Sequence, residues 1–228
     1  MTNKASFLLG ACLVLLSSNA LAASGHTVSA NAAASSNYFW RGITQSDDGA
    51  AVSGGLDYSN DSGFYLGTWA SNVDFGETSS TSYELDFYLG FSGEIKALSY
   101  DIGYIHYAYP DAAGDIDFGE VYTSLGWRNL SFKASYLTHA QSGSSTEEDM
   151  LYLELNATFP VFKSAELGLH VGNSRGDTVM EWTGEDDSYM DYGVNLSKDG
   201  YTFGLVKTDL DADDDLKVYV SYAVDFDL

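Results

Sequence analysis

The chain has 228 residues, with 33 Asp and Glu against 10 Lys and Arg and a formal net charge of -23. So acidic a chain repels phosphates, which excludes nucleic acid as a partner. The length suits one large all-β domain. The 17 Tyr, 12 Phe and 23 Gly beside only 2 Pro favour strands over helices.

The first residues are typical of a secretory signal peptide. Lys4 supplies positive charge, Phe7 to Leu16 is an apolar run, and Ala20-Leu21-Ala22 is a small-x-small cleavage site. We predict residues 1–22 as this signal and 23–228 as the mature domain, with lipoprotein processing at Cys12 as the alternative. Because Cys12 is the one cysteine, the mature domain has no disulfide, thiolate metal site or thiol nucleophile.

Alternation of apolar and polar residues predicts strands in chain order. His26 to Trp40 is a weak first strand of small residues, and Arg41 to Gly49 follows as a polar loop. Residues 50–59 and 64–73 form a hairpin around the tight turn Asn60-Asp61-Ser62-Gly63. The later strands are predicted over 83–91, 98–104, 118–127, 130–138, 151–159, 166–171, 190–197, 201–205 and 217–228.

The last of these strands, Lys217 to Leu228, has six alternating apolar residues on one face. Its length matches the roughly 9–11 residues with which a tilted strand crosses a bilayer. No stretch of the mature chain has the 18 consecutive apolar residues that a membrane-spanning helix needs. Any membrane crossing is therefore predicted to use strands.

The lengths of the connections alternate along the predicted strands. Long acidic loops follow the odd strands and short turns follow the even ones, as in outer-membrane barrels with short periplasmic turns and longer external loops. We predict an antiparallel, up-and-down transmembrane β-barrel in the outer membrane, with about 12 strands. Ten strands is the alternative, because the first is weak. Such a barrel would contact outer-membrane lipid and lipopolysaccharide, and the barrel assembly machinery during biogenesis.

The phase of the strands also predicts which polar side chains face the lumen. A charged side chain costs little in a water-filled lumen and much against lipid. We therefore predict an acid-rich channel for small cationic or uncharged solutes. The alternative is a structural or adhesive barrel with a filled lumen, whose acidic loops bind divalent cations or a partner. The predicted pore-lining residues are Glu84, Asp86, Asp101, Lys133, Glu154, Glu166, His170 and Asp191.

Candidate catalytic and metal sites are weak. No nucleophile motif frames His139 or His170, and Glu166 lies four residues from His170, about 13 Å along a strand. Asp209, Asp211 and Asp213 begin like a calcium-binding loop, but its glycine and final glutamate are missing. We predict no enzyme, no metal site and no cofactor.

Three stretches carry a family resemblance. They are Ser36 to Asp47, which reads SNYFWRGITQSD, then Gly54 to Tyr58, and Ser62 to Phe75. Together they resemble the TorF-type porins of bacteria. The resemblance implies an exported outer-membrane barrel without catalytic residues, in a family whose substrates are mostly unassigned. It also implies that Arg41 and Asp57 are signature residues, either as an internal ion pair that fixes the barrel register or as a contact for solute.

Overall fold

A computed structural model of the chain describes residues 25–77, 79–140, 149–184 and 186–228. The predicted signal peptide lies outside this range. Twelve strands form one closed barrel in which each strand pairs antiparallel with its neighbours in sequence, and the last strand pairs with the first. The predicted up-and-down barrel of 12 strands is confirmed.

The barrel consists of β1 and β4–β14, while two short strands, β2 and β3, lie inside it. One short helix, α1 (Asp177–Thr183), follows β11, and a 3-10 turn (Asp211–Asp213) follows β13. The described part of the chain has no helix long and apolar enough to cross a bilayer. The strands are β1 (His26–Ser35), β2 (Phe39–Trp40), β3 (Ile43–Thr44), β4 (Ala51–Asn60), β5 (Phe64–Asn72), β6 (Tyr83–Ile95), β7 (Leu98–Ala108), β8 (Phe118–Trp127), β9 (Leu130–Ala140), β10 (Leu151–Val161), β11 (Ala165–Arg175), β12 (Ser188–Lys198), β13 (Tyr201–Thr208) and β14 (Lys217–Asp227).

Short and long connections lie at opposite ends of the barrel. The turns at the short-turn end have two or three residues, and three of them place Lys96, Arg128 or Asp199 at positive φ. Positive φ matches the tight hairpin turns whose twist suits neighbouring strands. At the long-loop end every connection has eight or more residues. This segregation agrees with the predicted alternation of turns and loops.

The side chains alternate between an apolar outer surface and a mostly polar interior. On β6, Phe87, Leu89 and Phe91 are 49%, 50% and 51% exposed, whereas Asp86 and Tyr88, on the opposite face of the strand, are each 5% exposed. The same alternation recurs around the barrel. Large apolar side chains therefore cover the outside of the barrel, and the polar groups are enclosed.

Tyrosines in the interior pack against glycines of neighbouring strands. Tyr122 lies opposite Gly103, and its hydroxyl bonds that of Tyr65, which also donates to Asp101 Oδ1 at 2.7 Å. A Cβ at Gly103 would lie 2.5 Å from the Tyr122 hydroxyl oxygen and 2.8 Å from the backbone oxygen of Leu89. Glycine at this position is thus required by the tyrosine that crosses it.

We expect Gly103→Ala to destabilise the barrel by about 1–3 kcal/mol, the usual cost of overpacking. The backbone oxygen of Leu89 cannot move aside without distorting β6. Urea unfolding of the barrel in lipid vesicles measures the difference. Gly114→Ala is the matched control, because no atom lies within 4 Å of a Cβ there. Equal stability of the two variants would contradict the packing argument.

Several predicted strand ends are wrong: β6, β7 and β13 each continue three or four residues beyond the predicted end. Two further errors have a clear cause. The first strand ends at Ser35 rather than Trp40, because the chain turns into the lumen, where the Tyr38 amide donates to Ser46 Oγ at 3.0 Å. The strand predicted over 166–171 is too short, because β11 continues to Arg175, and α1 occupies part of the connection that follows. Both errors fall where the chain forms regular structure outside the barrel wall, inside the lumen or at the long-loop end.

Candidate functional site: the lumen and its inner hairpin

Residues 37–48, here called the inner hairpin, fold back into the barrel. Its turn is Arg41-Gly42, with φ of 51° and 82°, between Phe39-Trp40 and Ile43-Thr44. Positive φ at both central residues is the signature of a two-residue type I′ turn. The turn carries the Arg41 side chain into the lumen.

Arg41 is the central charged group of the inner hairpin. Its Nη2 donates to both carboxylate oxygens of Glu120 on β8, at 2.5 and 2.7 Å, and the two side chains are 5% and 1% exposed. The guanidinium carbon lies 4.2 Å from the centre of the Trp40 ring and 4.4 Å from that of Tyr152. Burial lowers the pKa of Arg41, because it disfavours the charged guanidinium. The nearby Glu120 carboxylate has the main opposite effect, and the pKa of Arg41 is raised overall. Arg41 therefore stays charged, and the pair is enclosed.

Further hydrogen bonds fix the inner hairpin to the barrel wall. The Tyr38 hydroxyl donates to Glu84 on β6 at 2.7 Å, and the Tyr109 hydroxyl donates to its other oxygen at 2.6 Å. At the other end of the hairpin, Lys217 of β14 donates to Asp48 at 2.9 Å. The hairpin is thus anchored to opposite parts of the wall.

Aromatic rings cover the inner hairpin from the long-loop end. Trp40 lies 6.2 Å from Tyr107, 5.8 Å from Phe118 and 6.0 Å from Trp182 of α1, between ring centres. Phe118 and Trp182 also contact each other, at 5.1 Å. This aromatic cluster and the hairpin together narrow the lumen.

A cavity of about 630 Å³ extends from the inner hairpin to the short-turn end. Arg41, Trp40 and Tyr152 line it at one end, and Ser164 and Gly200 of the short turns line it at the other. Its charged lining comprises Arg41, Lys133, Lys198, Glu154, Glu166, Asp191, Asp199 and Asp225, besides His170.

The structure divides the predicted pore-lining residues into two groups. Lys133, Glu154, Glu166, His170 and Asp191 line the cavity. The other three lie in the wall: Glu84 and Asp86 are buried at 1% and 5% exposure, and Asp101 accepts the hydrogen bond of Tyr65. Glu84 in particular holds the inner hairpin in place.

His170 joins side chains from three adjacent strands. Its Nε2 lies 2.7 Å from Asp191 Oδ1, and its Nδ1 lies 2.6 Å from Asn156 Oδ1 and 3.7 Å from Glu154 Oε2. The Tyr152 hydroxyl lies 3.2 Å from His170 Nε2. Glu166 is not a partner of His170, in agreement with the predicted separation of the two residues along β11.

The two residues implied by the family resemblance have separate partners. Arg41 pairs with Glu120, whereas Asp57 accepts hydrogen bonds from Tyr88 and from Asn31, the latter at 3.2 Å. They do not pair with each other, because the inner hairpin carries Arg41 across the lumen to β8 while Asp57 stays on β4.

Sequence reasoning missed Glu120 and the aromatic partners of Arg41. Glu120 has the inward phase of β8, being buried between Gly119 and the exposed Val121. The alternation along β8 could therefore have predicted that Glu120 faces the lumen. The sequence signal for the hairpin itself is Arg41-Gly42 between Phe39-Trp40 and Ile43-Thr44. Among the described residues, no three His, Cys, Asp or Glu side chains are grouped to hold a metal ion.

A family model matches residues 19–227, nearly the whole chain. It is described as Gcw_chp, a bacterial protein of unknown function. The chain belongs to the Gcw_chp family. No curated protein matches the chain.

Solved structures resemble this Gcw_chp protein in fold. A KdgM porin has 11% sequence identity and a TM-score of 0.55, over 88% of this chain and 99% of that one. The KdgM porin in complex with disordered oligogalacturonate has 10% identity and a TM-score of 0.54, over 89% and 99%. A NanC porin has 10% identity and a TM-score of 0.53, over 88% and 100%. At such identities the likeness establishes the barrel fold alone.

Proposed function

We propose that this protein is a porin-like channel of the outer membrane, through which small cationic or uncharged solutes diffuse passively. The observation that carries the proposal is the inverted polarity of the closed barrel, with half-exposed apolar side chains outside and charged groups inside. Closure leaves no strand edge unpaired, which is a condition for crossing a bilayer with strands. The fold shared with KdgM and NanC porins also supports a porin-like channel. The resemblance to TorF-type porins supports it as well.

The charge of the cavity lining supports cation preference. Five carboxylates, Glu154, Glu166, Asp191, Asp199 and Asp225, stand against three cationic residues. One of these three, Arg41, is neutralised by Glu120. A water-filled passage lined in this way attracts cations and repels anions.

The same lining argues against a polyanionic substrate. One KdgM porin was solved with oligogalacturonate, and oligomers of a sugar acid are polyanions. An acid-lined cavity would repel such a chain. We therefore propose that this protein shares the barrel of KdgM but not that ligand.

A second candidate function is a structural or adhesive barrel with an occluded lumen. The inner hairpin and the aromatic cluster favour it, because together they obstruct the long-loop end. In that case the acidic loops would bind divalent cations, lipopolysaccharide or a partner protein. Neither candidate involves catalysis.

Conductance separates the two candidates. Residues 23–228, refolded and inserted into a planar bilayer, should give discrete steps with a cation-selective reversal potential in a salt gradient. Neutralising Glu154, Glu166 and Asp191 together should reduce that selectivity, whereas Asp115→Asn in an exposed connection should not. Folded barrels that do not conduct would refute the channel and favour the occluded barrel.

The apolar belt makes a separate prediction about stability. Leu89→Arg, at the middle of β6, should destabilise the barrel in vesicles by about 2–4 kcal/mol, because it faces the centre of the bilayer. Ile95→Arg is the matched control at the end of the same strand, where the cost falls to about 0–1 kcal/mol. Urea titration in vesicles compares them. Similar costs at both positions would contradict the proposed orientation of the barrel in the bilayer.

A further inference from the structure

The inner end of the cavity contains a polar cluster that the barrel architecture does not require. It consists of Glu154, His170 and Asp191, with the Tyr152 hydroxyl and Asn156 around them. Glu154, His170, Asp191 and Tyr152 all line the cavity. Two carboxyl groups flank one imidazole, so acidic groups outnumber basic ones in this cluster.

Asp191 has an unused acceptor at this place. The residue is 2% exposed, and its Oδ1 is bonded by His170 and Tyr152. Its Oδ2 is buried and has no hydrogen-bond partner among the residues that the structure describes. Leaving a buried carboxylate oxygen unpaired is costly unless something donates to it.

The backbone opposite leaves room for this acceptor. Gly172 is the register partner of Asp191 on β11, and a Cβ there would overlap Asp191 Oδ2. It would also lie 2.7 Å from Cε2 of Tyr152. Glycine at 172 therefore allows both polar side chains to approach the same point.

The surroundings suit the hydrocarbon part of a small cation. Trp69, Tyr107 and Tyr152 line the same cavity, and aromatic faces attract cations as well as apolar groups. Arg41 does not repel a cation strongly, because Glu120 compensates its charge. The volume of about 630 Å³ lies within the range of about 300–1,000 Å³ that is usual for small-molecule sites.

We infer that this cluster is a binding site for a small organic cation, an alkylammonium whose N–H groups donate to Asp191 Oδ2 and Glu154. The inference rests on the proposed channel, for which it names the solute class. Such a site would select cations during passage and hold them at the inner hairpin.

Calorimetric titration of the detergent-solubilised barrel tests the site with three probes of equal carbon count. These are 1,4-diaminobutane, 1,4-butanediol and succinate, which are cationic, neutral and anionic. The diamine should bind, and the diol and succinate should bind about tenfold or more weakly, as loss of a charge-assisted hydrogen bond implies. Equal affinity for the diamine and the diol would overturn the inference.

Two variants locate the binding. Asp191→Asn and Glu154→Gln should each weaken diamine binding about tenfold or more, and heat-dependent gel mobility verifies that each is folded. Should one variant not fold, the other decides. Glu166→Gln makes the same change of charge in the same cavity but away from His170, so its loss should be much smaller. An equal loss for Glu166→Gln would mean that only the general field of the lumen acts, and would refute the site.

The titration does not depend on conduction, so the two proposals can fail separately. A barrel that conducts cations but does not bind the diamine would refute this site and leave the channel. A barrel that binds the diamine but does not conduct would leave the site and refute the channel.

Discussion

Removal of the inner hairpin should raise the single-channel conductance several-fold. Ser35 and Ala51 are register partners on β1 and β4, so residues 36–50 can be replaced by Asn-Gly, which favours a two-residue hairpin turn. The replacement removes Trp40 and Arg41 from the lumen, together with the cover that they form over the cavity. Conductance should rise because the obstruction at the long-loop end is gone.

The barrel itself should survive this replacement. Its strands pair with one another around a closed ring, and none of these pairings includes β2 or β3. Replacing residues 113–116, an exposed part of the connection after β7, by Gly-Ser is a control that shortens a loop outside the lumen. We expect that variant to conduct like the parent. An unchanged conductance after removal of the inner hairpin would show that the narrowest point lies elsewhere.

Most of the barrel could be predicted from the sequence because its repeat is local. In Tyr83 to Phe91, apolar and polar residues alternate without interruption, and this alternation assigns each side chain to a face without any knowledge of its neighbours. The segregation of long and short connections is equally visible along the chain. The strand count and the inward direction of Glu154 and Asp191 follow from these two local features.

The inner hairpin could not be predicted in the same way, because its anchors are remote in sequence. Glu120 lies 79 positions from Arg41, and Glu84 lies 46 positions from Tyr38. Tyr38 and Trp40 continue the alternating pattern of the first strand, so the predicted strand was extended to Trp40. Only the Arg41-Gly42 turn signalled a reversal, and a turn alone does not say whether a hairpin enters the lumen or lies outside it.

The cluster around His170 illustrates the same limit. Glu154, His170 and Asp191 were predicted to face the lumen, whereas Asn156 and Tyr152 were not. The sequence could not show which of these side chains would contact one another. Their contacts depend on register, which places Asn156 opposite His170 and Gly172 between Glu154 and Asp191. A shift of register would separate these groups. Register depends on both paired strands and on the turn between them, and β11 and β12 are joined by a long connection rather than a tight turn.

Loss of Glu120 alone should release the inner hairpin rather than unfold the barrel. Glu120→Leu leaves the Arg41 guanidinium buried without its carboxylate, and removing one partner of a buried ion pair costs about 3–5 kcal/mol. The hairpin can relieve this cost by leaving the wall, whereas the barrel strands keep their hydrogen bonds. The population of released hairpin should therefore rise by roughly two to three and a half orders of magnitude.

Labelling of a cysteine in the inner hairpin measures this release. Residues 23–228 have no cysteine, so Ile43→Cys provides a unique thiol. Ile43 is partly buried and packs against the core, so a bulky maleimide should react with this thiol faster when the hairpin leaves the wall. We expect Glu120→Leu to accelerate labelling strongly and to produce frequent openings to a higher conductance.

A double variant separates the ion pair from the packing around it. Arg41→Met with Glu120→Leu replaces both charges by apolar groups of similar size, a change that is often neutral for buried ion pairs. It should therefore label as slowly as the parent and conduct in the same way. If the double variant is as open as Glu120→Leu alone, the two charges do more than compensate each other, and the hydrogen bonds from Arg41 Nη2 to the two oxygens of Glu120 are what hold the hairpin against the wall.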